Sequence, residues 1–131
     1  MENLDRWIAE NIMKFAVISE NTPLRNALPS GGYIIKETGI CFIFTGVGYG
    51  SRPFHPRTNI AQAMRVVGKM KTIGHGWWLD LRSPFLETES DWFAGFTPLG
   101  TSGWNGRPDH VAANDNPATA ICEAAKKTLE E

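Results

Sequence analysis

Apolar residues recur with two different periods along this chain, and the order in which the periods alternate limits the folds open to it. Leu4, Ile8, Ile12 and Phe15 stand three or four positions apart, which predicts a helix from Leu4 to Phe15 with one buried face. Asn3 is placed to accept from the free N–H groups at its start, and Asp5 suits the positive end of the helix dipole. Tyr33 to Glu37 and Ile40 to Thr45 are instead short β-branched and aromatic runs, joined by Glu37-Thr38-Gly39, and predict a hairpin. The second run is apolar on both faces, which predicts a central strand. A second helix begins at Thr58 or Asn59, where Gln62 can complete a capping box. Ile60, Ala63, Met64, Val67 and Met70 form its expected buried face, and Gly74 and Gly76 end it. In Trp77 to Arg82 the period returns to two: Trp77, Leu79 and Leu81 share one face, Trp78, Asp80 and Arg82 the other. Asp91 to Phe96 is the fourth predicted strand. Asn116 as N-cap and Pro117 at the first helical position open a third helix, with Ala118, Ile121, Cys122, Ala125 and Leu129 inward.

The order helix, two strands, helix, two strands, helix predicts an α+β fold. Residues 1–131 are expected to form a single domain, its three helices packed on one four-stranded, mainly antiparallel sheet. Ile8, Ile12, Phe42, Phe44, Val67, Leu79, Leu81 and Ile121 are the expected core. A chain of 131 residues buries about 65–70% of its unfolded surface, so no disulfide or metal is needed to hold it. Cys41 and Cys122 lie in apolar runs and read as buried thiols. The N-terminus shows no basic segment followed by an apolar one, and the longest apolar run, Ile40 to Phe44, is too short to span a bilayer. A reducing cytoplasm is the expected location. A net charge of -1 gives no strong non-specific attraction to nucleic acid or membrane.

Three segments carry a resemblance. Leu4-Asp5-Arg6-Trp7-Ile8-Ala9-Glu10-Asn11-Ile12-Met13 resembles the opening L-D-x-x-V-A-E-x-V-M-G-W of the phage ABA-sandwich domain family. Pro53 to Val67 resembles that family's P-x-Y-S-T-D-I-A-A-A-W-x-V-V segment, with Phe54-His55-Pro56 departing from its Tyr-Ser run. Asn116-Pro117-Ala118-Thr119-Ala120-Ile121-Cys122-Glu123-Ala124-Ala125 resembles its closing T-A-P-x-A-I-C-R-A-A-L. The resemblance implies a phage or prophage origin and an α/β/α sandwich. It implies no catalytic residues.

No Asp or Glu lies between Thr38 and Leu79, whereas Arg52, Arg57, Arg65, Lys69 and Lys71 do. Arg82 and Arg107 can join them in space, and Phe54, Trp77, Trp78, Trp92 and Trp104 offer stacking faces near them. A guanidinium presents a planar fork to phosphate or carboxylate. The plainer alternative is a solvated basic face over a tryptophan-rich core. Within the long Gly-rich stretch Thr97 to Asp115, Gly103-Trp104-Asn105-Gly106-Arg107-Pro108 is a compact turn carrying an aromatic ring, an amide and a guanidinium. Arg52, Arg57, Trp78, Arg82, Trp104, Asn105 and Arg107 are therefore the candidate ligand-binding residues.

Gly46 to Ser51 resembles a phosphate-cradling loop, but no helix opens on its glycines, so a dinucleotide fold is rejected. His55, His75 and His110 lack zinc-site spacing. Ser102 with Asp109-His110 lacks a nucleophile elbow. These residues predict neither catalysis nor a cofactor. The leading reading is a phage accessory protein that binds a small, anionic, nucleotide-like ligand, such as a host defence signal, and sequesters it. An inhibitor or adaptor of a host protein is the second reading, and a small hydrolase the third. Association with further copies of the chain stays open.

Overall fold

The computed structural model describes residues 3–20, 31–44, 51–74, 76–84, 91–98 and 111–130. Contacts group the chain into two compact units, Met1–His55 and Pro56–Glu131.

In the first unit, α1 (Leu4–Asn11) is capped by Asn3, whose Oδ1 accepts from the backbone N–H groups of Asp5 at 3.0 Å and Arg6 at 3.4 Å. The helix is shorter than the Leu4 to Phe15 expected. Lys14 adopts φ 58°, and the Phe15 N–H returns to the Ala9 carbonyl at 2.9 Å. Phe15 thus reaches the core through a left-handed turn and meets Phe54 edge-on, ring centroids 5.1 Å apart. Four strands follow: β1 (Ala16–Ile18), β2 (Gly32–Ile35), β3 (Cys41–Phe44) and β4 (Ser51–Pro53). They form one sheet in chain order, with β1 parallel to β2 and the other pairs antiparallel. The predicted β2–β3 hairpin is present, turning at Gly39 with φ 74°. β3 is central, as its two apolar faces suggested. Cys41 and Ile43 are buried beneath α1, whereas Phe42 and Phe44 are only half-buried. On their side Tyr33 stacks on Phe42 at 5.1 Å, and its hydroxyl shares a 3.1 Å hydrogen bond with Ser51.

In the second unit, α2 (Ile60–Met70) starts where Asn59 Oδ1 accepts the Gln62 N–H at 3.1 Å. Its inward face is Ala63, Val66, Val67 and Met70; Ile60 and Met64, expected inside, are exposed. Rotating the stripe by one position brings the β-branched Val66 into the core in place of Met64. The three-stranded antiparallel sheet of β5 (Trp77–Arg82), β6 (Trp92–Pro98) and β7 (Val111–Asn114) follows. Then α3 (Pro117–Glu130) opens at Asn116, whose Oδ1 accepts the Ala118 N–H at 2.9 Å. Ala118, Ala120, Ile121, Cys122, Ala124 and Ala125 of α3 are buried. These small side chains let α3 approach both the sheet and α2 closely, and α3 packs along β6 and β7.

The α+β class with three helices stands. The single four-stranded sheet of one sandwich does not: there are two sheets, one mixed with four strands and one antiparallel with three. The physical reason lies in β1, β4 and β7. Each has three or four residues, too few for a period-two pattern to show, so each is defined by its hydrogen-bonded neighbour. Both cysteines are buried thiols, neither in a disulfide.

Candidate functional site

Register assigns the faces of the β5–β6–β7 sheet. Residues directly opposite one another project to the same side. Trp77, Leu79 and Leu81 of β5 stand opposite Pro98, Phe96 and Ala94, and Ala94 stands opposite Ala112. Phe96 is 0% exposed, and Ala94 and Ala112 are buried. This is the side packed on the helices. Leu79 and Leu81, expected deep in the core, are half-buried because β5 lies at the sheet's edge.

The opposite side is partly exposed. It carries Trp78, Asp80 and Arg82 from β5, Thr97, Gly95 and Phe93 from β6, and Val111 and Ala113 from β7. Trp78 is 57% exposed, Phe93 42% and Val111 44%. Three large apolar side chains on one side of a small sheet form an apolar patch, the usual mark of a recognition surface. Gly95, between Asp80 and Val111 across the sheet, is itself buried, so the exposed part of this side lies at Trp78, Phe93 and Val111. Arg82 stands directly opposite Phe93 on this side. Arg82 Nη2 also lies 3.7 Å from Asp80 Oδ2 in an exposed ion pair, which is worth little.

Of the residues singled out from sequence, Trp78 and Arg82 share one face of one strand, four residues apart. Arg57 sits in the turn before α2, where its carbonyl accepts from Thr119 Oγ1 at 2.8 Å; its position is fixed by α3 and it is not part of the partly exposed face. Arg52 is exposed on β4, in the other unit. Trp104, Asn105 and Arg107 lie outside the described residues, as do His75, His110 and most of the two Gly-rich loops. Phe93 and Val111 were not anticipated. Phe93 is recoverable by carrying the alternation of Asp91 to Phe96 across to Trp78 and Arg82. Val111 sits in a stretch with no pattern of its own.

Among the described residues no three His, Cys, Asp or Glu side chains gather to hold a metal ion, and no helix is long and apolar enough to cross a membrane. Burial, with Asp5 nearby, pushes the Cys41 thiol from its ordinary 9.0 up to about 11, which opposes a nucleophilic role. No family model, curated protein or solved structure matches the chain.

Proposed function

We propose that the protein works by binding, without turnover, and that its ligand is a small anionic molecule bearing a flat ring, of the nucleotide class. The observation that carries this reading is the pair of exposed aromatics Trp78 and Phe93 on one side of the β5–β6–β7 sheet, with Arg82 on the same side directly opposite Phe93. A ring stacks on an exposed aromatic irrespective of its substituents, and a guanidinium supplies a charge-assisted fork for phosphate. A phage accessory protein that sequesters a host defence signal is the role that accords with the resemblance to the phage family and with such a surface. A host-protein partner is the second reading, favoured by Val111 and Ala113, which extend the apolar patch past what one ring covers.

Native mass spectrometry of protein purified without added ligand separates the two. A retained small molecule of nucleotide mass, lost on Trp78→Ala, supports sequestration. A stoichiometric host protein lost on the same substitution supports the adaptor. A bare chain that also fails to bind any nucleotide on titration defeats sequestration.

A further inference from the structure

We propose that β5 is the contact strand of a homodimer, pairing antiparallel with β5 of a second copy and joining two three-stranded sheets into one of six strands. An edge strand presents a row of N–H and C=O groups ready to pair with another chain. Among the described residues this sheet has two edges, and they differ. β7 has four residues, and Lys127 Nζ donates to the Val111 carbonyl at 3.2 Å. An ammonium held at that strand is one of the ordinary devices that block edge pairing. β5 has six residues, and β6 is its strand neighbour among the described residues.

The charges on β5 are self-complementary. Asp80 and Arg82 lie two residues apart on the same face, with side chains 42% and 52% exposed. A two-fold axis at Leu81 sets Leu81 opposite the second copy's Leu81. Asp80 then stands opposite the second copy's Arg82, and Arg82 opposite its Asp80. Opposite charges directly across an antiparallel pair attract, and like charges repel. Placing the axis at Asp80 instead sets the two Asp80 carboxylates face to face, so the charges select the register. A surface that complements its own image is what a closed two-fold dimer requires. The dimer also makes the partly exposed faces of both copies one continuous surface.

Sedimentation velocity of the full chain over a wide concentration range tests this without any ligand, so it stands or falls apart from the binding reading. The wild type is expected to associate reversibly to a dimer. Asp80→Arg and Arg82→Asp each place like charges opposite one another at both ends of the contact, and each is expected to weaken dimerisation by about tenfold or more. An equimolar mixture of the two variants turns every like pair into an opposite pair and restores the dimer. The double exchange Asp80→Arg/Arg82→Asp, which keeps the ion pair inside the chain as well, self-associates like the wild type. A wild type that stays monomeric, single variants that dimerise unchanged, or a mixture that does not associate each overturns the proposal.

Discussion

At the scale of single residues, the clearest consequences come from positions where close packing leaves no room. Ile121 is 0% exposed on the buried side of α3. Ile121→Ala removes buried methyl groups and leaves a cavity, and is expected to cost about 2–5 kcal/mol by chemical denaturation. Gly32 is the opposite case: a Cβ there meets the Phe42 carbonyl oxygen at 2.5 Å and the Phe15 ring at 2.6 Å. Gly32→Ala forces main chain or ring to move, and a loss of about 1–3 kcal/mol is expected in the same assay. From sequence, Ile121 was readable from its helical stripe, but Gly32 looked like one more loop breaker beside Gly31. Its role depends on Phe15, which reaches it through the left-handed turn at Lys14. A thiol titration of the unfolded, unreduced protein is expected to count two thiols, from Cys41 and Cys122. In the native protein Cys41 is expected to stay unreactive at neutral pH, because desolvation holds its titration at about 11. The sign follows from the raised value. Its contribution to stability is whole below the unfolded value of 9.0 and is lost as pH rises through about 11.

At the scale of elements, helices were more legible than strands. Asn3, Asn59 and Asn116 all cap the helices assigned to them, because a cap is a local bond between residues two or three apart. Strands need a partner that local pattern does not name. β1 shows this best: Ala16–Ile18, just past the predicted helix, drew no assignment from sequence and becomes a strand only by parallel pairing with β2. The end of that pairing is clipped by the Glu37 carboxylate, which accepts from Ser19 Oγ at 2.8 Å and from the Glu20 N–H at 3.1 Å. The Ser19 hydroxyl, foremost, and backbone N–H groups hold Glu37 below the usual carboxylate range. A lowered value means the clip's stabilisation is present above the unfolded carboxylate value and is lost as pH falls through the folded one. The Glu20 amide resonance is therefore expected to shift with a midpoint below the usual glutamate value of roughly 4.3. In Glu37→Gln this titration is absent. A wild-type midpoint at or above the ordinary value contradicts the clip.

At the scale of the whole molecule, the division into two sheets was not legible. Four predicted strands in two pairs suit one sheet as well as two, and the deciding residues lie in β4 and β7, where Ser51-Arg52-Pro53 and Val111-Ala112-Ala113-Asn114 carry no strand signature of their own. The candidate site was half legible for the same reason. The basic, aromatic-rich stretch pointed toward Trp78 and Arg82, but their companions Phe93 and Val111 come from strands brought alongside by register. Arg52 and Arg57, equally basic, belong to positions the partly exposed face does not include. The central claim is that this face binds a ring-bearing anion. Isothermal titration calorimetry tests it most directly, with cyclic and ADP-ribose-type nucleotides against wild type, Trp78→Ala and Arg82→Ala. The account predicts measurable heat with at least one nucleotide, a loss of about 1–3 kcal/mol of binding energy for Trp78→Ala and about 1.5–3 kcal/mol for Arg82→Ala, with melting temperatures nearly unchanged. Heat that both variants retain in full, or no heat from any nucleotide, contradicts it.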